Sequence, residues 1–481
     1  MMKKQILLIA AASIFAFTLN AQGVVSNQIN SSASTFPECG AHYFMEKVEQ
    51  EEASFMELSD QLLKQVNNII KQQKQSKSSA TILTIPVVFH VVYNNSQENI
   101  PDSVIFNQLQ ILNESFRRQN ADTANTRVDF KPLVGDSKIE FKLADFDPAG
   151  NPTNGISRTN TSITHFGGVL PYGPGQNQQI TQWVNDSLYY NYFRLTSDSL
   201  GGKDPWNTNE YLNVWMGDLR IFEPQFNNFE ELVFFALATP PLNHVNWPAS
   251  VLNSIAPYEQ GVLIHYVNVG SNNPNQLPAP YQSFNGVVTD GKVMVHEVGH
   301  YLGLRHIWGD GNCSEDDFIQ DTPRSDASSN WACNFNTNSC LDTINNLDLN
   351  NMVENYMDYS SGACQNSFTK GQVNLMRSVL RVYRPNLYDT LLTSVPEKQA
   401  LALNQVKVFP NPTNGNFTID LSPFKGSVYL GVRNNTGQLI HEAHYLNQKK
   451  VNLNLDVPSG VYFLQLSQAH GERISAKMIV R

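Results

Sequence analysis

Positive charge, long apolar segments, cysteine and histidine are all scarce in this 481-residue chain. Lysine and arginine total 33 residues against 43 aspartates and glutamates, which gives a net charge of −10. Such a chain lacks the basic surface that binds phosphate backbones, so no nucleic-acid partner is expected. After residue 21 no apolar run is long enough to cross a bilayer, and a transmembrane segment is therefore not expected.

The first 21 residues have the composition of a secretory signal peptide. Lys3 and Lys4 provide a basic start, an apolar run extends from Ile6 to Leu19, and Ala21 is a small residue before a cleavage point. We therefore expect export of the mature protein. Its length exceeds what one hydrophobic core supports, so at least two folded units are predicted.

Cysteine is scarce and unevenly distributed. Four of the five cysteines fall between residues 313 and 364, and Cys39 stands alone near the predicted mature N-terminus. This usage fits an oxidising compartment. The count predicts two disulfides in the cluster, with one thiol left over.

Three of the eleven histidines lie within the eleven-residue sequence HEVGHYLGLRH, which begins at His296. It has the pattern of a zinc protease. Residues four apart share one helix face, so His296 and His300 can bind one ion, with Glu297 near enough to reach a metal-bound water. Gly303 can take the positive φ that ends a helix and brings back His306 as a third ligand.

The opposite face of this predicted helix is apolar. It carries Met294, Val298, Tyr301 and Leu302, so one face packs while the other is free to bind metal. A surface helix that carries histidines by chance is the alternative, but core packing does not require such a cluster.

Residues 22–84 are predicted to form a propeptide. Apolar residues recur at helical spacing between Phe55 and Ile69, and residues 71–79 form a polar, basic linker. A simple N-terminal helix of the following domain is the alternative interpretation.

The main domain is predicted to cover residues 85–388 and to have an α+β fold. It starts with the buried strand Ile85–Tyr93 and continues with a helix from Asp102. A further strand, Gly261–Val269, is either an exposed edge that can pair with an extended substrate or a plain interior strand. We expect a mixed sheet packed under two helices, one of which carries the histidine pair.

After the histidine cluster the chain is irregular and acidic. The acidic residues are Asp310, Glu315, Asp316, Asp317 and Asp321. Oxygen ligands at this density can hold Ca²⁺, while a solvated loop explains the same composition. Residues 389–404 have no clear pattern and are expected to be a linker. The short alternating runs of residues 405–481 predict a small all-β sandwich.

The extended zinc motif, with Met357 downstream, resembles the metzincin metallopeptidases, whose Met-turn lies beneath the metal. The sequence NYMDY at residues 355–359, followed by Cys364 and by Phe368 and Thr369, is similar to the pappalysin family. The resemblance extends over residues 85–390.

This resemblance implies a zinc-dependent peptidase and assigns roles to individual residues. Glu297 would be the general base, Met357 the Met-turn methionine, and Tyr359 a hydrogen-bond donor to the transition state. The implied zinc ligands are His296, His300 and His306, and the implied disulfides are Cys313–Cys340 and Cys333–Cys364. A structural Ca²⁺ near the acidic loop is also implied, without assigned ligands.

Two features depart from the family pattern. Cys39 and Gly40 resemble the cysteine switch of related zymogens, but Glu38 replaces the usual basic neighbour. Cys39 is therefore either a latch or a free or intermolecular thiol, and both alternatives stay open. Relatives with an acidic residue between the Met-turn tyrosine and the next cysteine favour a basic residue after the scissile bond. Residues 360–363 are Ser-Ser-Gly-Ala, so the resemblance does not carry that preference to this chain.

The C-terminal segment resembles the sorting domain of type IX secretion in Bacteroidetes. The likeness rests on Val408–Pro412, Gly460–Tyr462 and Lys477–Arg481. It implies the type IX machinery as a partner and a secreted or cell-surface location. A β-sandwich binding module is the alternative.

Together these patterns predict a secreted zinc endopeptidase that acts on proteins or peptides and is made as a latent zymogen. A zinc-stabilised adhesin or binding module without turnover is the main rival. A non-peptidase zinc hydrolase is a second rival, which the Met-turn disfavours. Three ligands and an available base argue against a purely structural zinc, which is usually held by four protein ligands.

Overall fold

The computed structural model describes residues 81–168, 189–223, 229–241, 260–391 and 407–481, with short gaps inside the last three ranges. Before residue 81 it describes residues 38–41 and a few isolated positions up to residue 68. The predicted signal peptide lies outside the described residues, as do residues 392–406 of the predicted linker. Among the described residues, no helix has both the length and the apolar character needed to cross a membrane.

The main domain is built on one mixed eight-stranded sheet. Its strands are β1 (Glu38–Cys39), β2 (Ile82–Tyr93), β3 (Ile139–Leu143), β4 (Ile156–Asn160), β5 (Leu212–Gly217), β8 (Phe234–Ala238), β9 (Val262–His265) and β10 (Asp389–Leu391). The principal order is β1-β8-β9-β5-β2-β10, with β3 and β4 also paired to β2. Most pairings are parallel, and β8 runs antiparallel to β9. A separate hairpin joins β6 (Arg220–Glu223) to β7 (Phe229–Leu232).

In the part of the chain that the structure describes, four α-helices accompany the sheet. They are α1 (Asp102–Phe116), α2 (Tyr189–Phe193), α3 (Lys292–Tyr301) and α4 (Lys370–Tyr383). The helix α4 begins with a capping box, in which the Thr369 hydroxyl accepts from the Gln372 amide and the Gln372 side chain accepts from the Thr369 amide. The core between sheet and helices is continuous from β2 to α4. This mixed sheet with its active-site helix confirms the predicted α+β class.

The strand predicted at residues 261–269 is an interior strand. Its regular part, β9, lies between β5 and β8, so the alternative of an exposed edge at that place is wrong. The edge of the folded domain is β8, to which β1 of the predicted propeptide adds in parallel. An extended segment therefore pairs with β8, whereas the sequence suggested the strand at residues 261–269 as a possible edge for such pairing.

The last segment is all-β, as predicted. One sheet joins β11 (Val408–Phe409), β12 (Asn416–Asp420) and β15 (Lys450–Asn454). The other joins β13 (Ser427–Arg433), β14 (Leu439–Leu446), β16 (Gly460–Ser467) and β17 (Ile474–Val480). The two sheets share one apolar core, which is what a sandwich requires.

Two boundaries differ from the prediction. The strand β2 begins at Ile82, so residues 82–84 of the predicted propeptide belong to the main sheet. The strand β10 falls inside the predicted linker 389–404 and pairs antiparallel with the start of β2. Residues 389–391 therefore belong to the main sheet. Three residues are too few to produce an alternating pattern, which is why no strand is predicted there.

The helix α1 provides a test of the core. Phe116 is fully buried between Phe141 and Phe368, whereas Phe106 on the same helix is 49% exposed. We expect Phe116→Ala to lower the free energy of unfolding by about 3–5 kcal/mol, because it leaves a cavity. Phe106→Ala should change it by less than about 0.5 kcal/mol. Urea unfolding of the two variants measures both, and equal losses would contradict this account of the core.

Candidate functional site

The helix α3 carries the first two histidines from inside the core. Its apolar residues Met294, Val298 and Tyr301 are each fully buried, as their spacing predicted. Burial of such side chains contributes roughly 1.5–3 kcal/mol each, so the helix is firmly held. The helix ends at Tyr301, and Gly303 follows with φ +93°. That left-handed conformation turns the chain and brings His306 back toward the helix.

The three imidazoles converge through their Nε2 atoms. The distance from His300 Nε2 is 3.0 Å to His296 Nε2 and 3.1 Å to His306 Nε2, and the remaining pair is 3.3 Å apart. All three side chains are at most 6% exposed. Burial, together with the two neighbouring rings, lowers the pKa of His296 well below its ordinary value, so this ring is neutral.

An acceptor faces each outer ring nitrogen. His296 Nδ1 lies 2.7 Å from the Tyr356 carbonyl, and His300 Nδ1 lies 2.8 Å from the Leu304 carbonyl. His306 Nδ1 is bonded to the Asp310 carboxylate. These acceptors hold the proton on Nδ1 and leave the Nε2 lone pairs pointing at one another.

Three converging lone pairs repel one another unless a cation lies between them. Tetrahedral zinc with nitrogen ligands at 2.0–2.1 Å would place those nitrogens about 3.3 Å apart. The observed separations of 3.0–3.3 Å are close to that value. The donor set therefore fits a zinc ion held by His296, His300 and His306.

Glu297 is a buried carboxylate beside this cluster. It is 1% exposed, and burial raises its pKa to about 8. Among the described residues, no group makes a well-formed hydrogen bond to either carboxylate oxygen, although the Cys39 thiol and the Ala238 backbone partly oppose the shift. An unsatisfied buried carboxylate next to a metal site is suited to hold a water molecule and to take its proton.

Met357 lies under the cluster in a tight turn. Its side chain is fully buried and packs so closely on α3 that a Cβ at Gly299 would overlap its sulfur. The Met357 carbonyl accepts from the Ile307 amide at 3.3 Å, and the Asn355 side chain accepts from the Met357 amide at 2.9 Å. The turn thus fixes the floor of the site and the segment that follows the third histidine.

Tyr359 and Cys39 complete the site from opposite sides. The Tyr359 ring lies 4.8 Å from the His306 ring and 5.6 Å from the His296 ring. Its hydroxyl accepts from the Cys39 amide at 3.1 Å. The Cys39 sulfur and the three Nε2 atoms all lie within 4.8 Å of one another. The fold therefore brings the thiol of Cys39, which the predicted disulfides leave unpaired with another cysteine, to the metal site.

The remaining candidate residues lie in the irregular segment after the third histidine. The four clustered cysteines are paired as Cys313–Cys340 and Cys333–Cys364. Of the acidic residues there, Asp317 is buried and accepts from the Ile319 amide and the Thr322 hydroxyl, and Asp316 pairs with Arg324. These protein contacts explain much of the acidic composition without an ion.

Sequence reasoning missed several residues of the site. The composition predicts only that Asp310 belongs to an acidic loop, yet its carboxylate accepts a hydrogen bond from His306 Nδ1 and orients that ring. Trp308 stacks on that ring with centroids 4.2 Å apart, and Trp331 stacks on Tyr359 at 5.4 Å. The (i, i+4) spacing of His306 and Asp310 was the available signal. The two tryptophans offered none, because their contacts depend on the fold.

The fold and the site together define a zinc metallopeptidase architecture, and comparisons with known proteins agree. Residues 281–381 match the peptidase family described as pregnancy-associated plasma protein-A, and residues 407–481 match a secretion system C-terminal sorting domain. An extracellular metalloprotease of Arthroderma benhamiae is 37% identical over 99 residues, and one of Colletotrichum graminicola is 31% identical over 154 residues. These matches cover 20% and 32% of this chain, and 33% and 50% of the two relatives.

A solved structure gives the broadest likeness among these comparisons. A promirolysin mutant of Tannerella forsythia is 35% identical, with a TM-score of 0.52, and the match covers 73% of this chain and 96% of that one. The chain therefore belongs to the pappalysin family of metalloproteases, with a C-terminal sorting domain. This confirms the family resemblance.

The contact between α3 and the Met-turn is testable. Because a Cβ at Gly299 would overlap the Met357 sulfur, Gly299→Ala should cost about 1–3 kcal/mol of stability and weaken zinc retention during dialysis. Combining this change with Met357→Ala removes the sulfur. The double variant should therefore lose less stability than the two single variants lose together, by about 0.5–3 kcal/mol. Strictly additive losses in urea unfolding would show that the overlap is not the cause.

Proposed function

We propose that this chain is a secreted zinc-dependent endopeptidase, made as a latent zymogen, that hydrolyses peptide bonds of extracellular proteins. The observation that carries the proposal is the convergence of three Nε2 atoms beside a buried carboxylate with unsatisfied oxygens. The proposed zinc ligands are His296, His300 and His306. When bound, the ion supplies a Lewis acid that lowers the pKa of water and polarises a carbonyl.

The residues of the chain divide the remaining chemistry. Glu297 accepts a proton from the attacking water and passes it to the departing amine. The Tyr359 hydroxyl donates a hydrogen bond to the oxyanion that develops on the carbonyl oxygen. The outer acceptors on the three histidines, such as Asp310, keep the rings oriented with Nε2 toward the metal.

Latency follows from the position of Cys39. Its sulfur lies on the side of the cluster where a water would enter. Its backbone amide donates a hydrogen bond to the Tyr359 hydroxyl. The segment is also held as β1 on the edge strand β8. We propose that Cys39 supplies a fourth ligand until proteolysis before β2 removes the segment that carries it, which favours the latch over a free thiol.

Export and location are inferred from the two ends of the chain. The predicted signal peptide, residues 1–21, would direct the chain through the inner membrane, and the sorting domain would pass the protein to the type IX machinery. The extracellular relatives support a secreted or cell-surface location. Calcium stays a prediction for the acidic loop, with its ligands unassigned.

The division of labour between Glu297 and the histidines is testable after the pro-segment is removed with a second protease. Glu297→Ala should retain one zinc per chain while kcat/KM falls by about 10²- to 10⁴-fold, because only the proton acceptor is lost. His300→Ala should lose both zinc and activity. Metal analysis and hydrolysis of a denatured protein measure the two effects, and a metal-free Glu297→Ala protein would refute the assigned roles.

The latch is testable on the intact chain. Cys39→Ala removes the sulfur but keeps β1, so the unprocessed variant should hydrolyse a denatured protein at least about tenfold faster than the unprocessed wild type. A chelator should abolish that activity. If neither the variant nor the processed wild type hydrolyses the denatured protein, the zinc-stabilised adhesin becomes the better interpretation. If only the processed wild type is active, Cys39 is not the latch.

A further inference from the structure

The backbone beside the candidate site is strained at Asn330 and Trp331. Their φ angles are +47° and +62°, in the left-handed region. Asparagine visits this region readily, whereas a residue as bulky as tryptophan is an outlier there. Strain of this kind persists only where the surrounding structure compensates for it, and it is concentrated at functional sites. The contacts of Trp331 must therefore offset the cost of its conformation.

Trp331 is joined to Tyr359 by both its backbone and its ring. Its amide donates a hydrogen bond of 2.6 Å to the Tyr359 carbonyl. Its indole ring lies parallel to the Tyr359 ring, with an interplanar angle of 1° and centroids 5.4 Å apart. Two aromatic rings in such an offset stack attract each other. The left-handed turn thus brings the face of the indole against the face of the tyrosine.

The indole is also held by the core of the main domain. Phe235 of β8 meets it edge-on, with centroids 5.6 Å apart and an interplanar angle of 85°. Phe284 meets it in the same way at 6.0 Å and 84°. Both phenylalanines are buried in the main core, and Trp331 itself is half-buried. Because a packed core is rigid, the indole ties the tyrosine ring to a fixed frame.

The main chain around Trp331 is fastened to the segment that contains the tyrosine. The Ser329 amide donates to the Asp358 carboxylate at 3.1 Å. Just after Trp331, Cys333 forms the disulfide with Cys364, which lies beyond the Met-turn. These links and the Trp331 amide join the same two segments. They restrict the ways in which the indole can move away from the tyrosine.

The hydroxyl of Tyr359 loses one of its contacts when the pro-segment leaves. In this structure the Cys39 amide donates to that hydroxyl at 3.1 Å. Proteolysis would take this contact away and leave the stacked indole in place. Other ring neighbours of Tyr359 are two of the proposed zinc ligands and Trp308, which stacks on one of them. Trp331 therefore supports the tyrosine from outside the metal centre.

We propose that Trp331 is a positioning residue, which holds the Tyr359 ring so that the hydroxyl meets the oxyanion formed from the substrate carbonyl. The inference rests on the proposed peptidase function. A donor that is already in place stabilises the transition state without reorganisation during the reaction. Trp331 also lines the pocket beside Glu297, so direct contact with the substrate is the competing role.

The test is a double-mutant cycle on processed enzyme that keeps its sorting domain, with a peptide chosen from the cleavage products of a denatured protein. Trp331→Ala should lower kcat by about ten- to hundredfold and change KM by less than about threefold, because a misplaced donor is lost only from the transition state. Tyr359→Phe should lower kcat by about 10²- to 10³-fold. In the Tyr359→Phe background, Trp331→Ala should lower kcat by less than about twofold.

Three further variants separate the position of the ring from general packing. Trp331→Phe keeps a ring against the tyrosine and should retain kcat within about threefold of wild type. Trp331→Gly removes the ring and relieves the backbone, so it should repeat the loss of kcat even if Trp331→Ala does not fold. Trp206 is a half-buried tryptophan in a separate apolar cluster, where it packs on Tyr211. Trp206→Ala is the matched control and should leave kcat unchanged. Circular dichroism and zinc content verify the folding and metal content of each variant.

The outcomes distinguish this proposal from the peptidase proposal. If processed wild type cleaves neither the peptide nor a denatured protein, the peptidase proposal fails and this inference fails with it. If wild type is active but loss of the indole raises KM and leaves kcat unchanged, Trp331 contacts the substrate directly and only its positioning role is overturned. Equal losses of kcat in the wild-type and Tyr359→Phe backgrounds would overturn it as well. A loss confined to the wild-type background would establish that Trp331 acts through the tyrosine hydroxyl.

Discussion

The site depends on one constraint, which is that three neutral imidazoles must direct their Nε2 lone pairs at a single point. Each ring is oriented by an acceptor on its outer nitrogen, and two of those acceptors are backbone carbonyls. The carbonyl of Tyr356 belongs to the Met-turn, and that of Leu304 follows the Gly303 turn. The metal geometry is thus set by the path of the main chain as much as by the histidine side chains.

This dependence explains why the Met-turn must lie where it does. A Cβ at position 299 would overlap the Met357 sulfur, so only glycine leaves room for this close contact between α3 and the turn. The same turn positions Tyr359 beside the His306 ring. One short segment therefore orients a proposed zinc ligand, supports the helix and positions Tyr359, the proposed oxyanion donor.

The sequence carried much of this arrangement because its signals are local. The helix α3, the turn at Gly303 and the strand β2 follow from spacing within about a dozen residues, and the structure has all three. The features that could not be predicted from the sequence depend on contacts between distant segments. The edge strand β8 is a short apolar run that looks like any buried strand, and only the strand order makes it the edge. The stacking of Trp331 on Tyr359 is likewise invisible until the chain is folded.

The segment that carries Cys39 lies against the residues that the proposed reaction uses. Cys39 approaches the metal site, its amide binds the Tyr359 hydroxyl, and it also lines the pocket beside Glu297. While this segment is in place, it competes with a peptide for the Tyr359 hydroxyl and for the pocket. Displacement of the sulfur alone would open the metal but leave β8 covered by β1. If Cys39 is the proposed latch, loss of the sulfur gives partial activity and full activity requires the whole strand to leave. Cleavage of the chain is then a more effective trigger than chemical modification of the thiol.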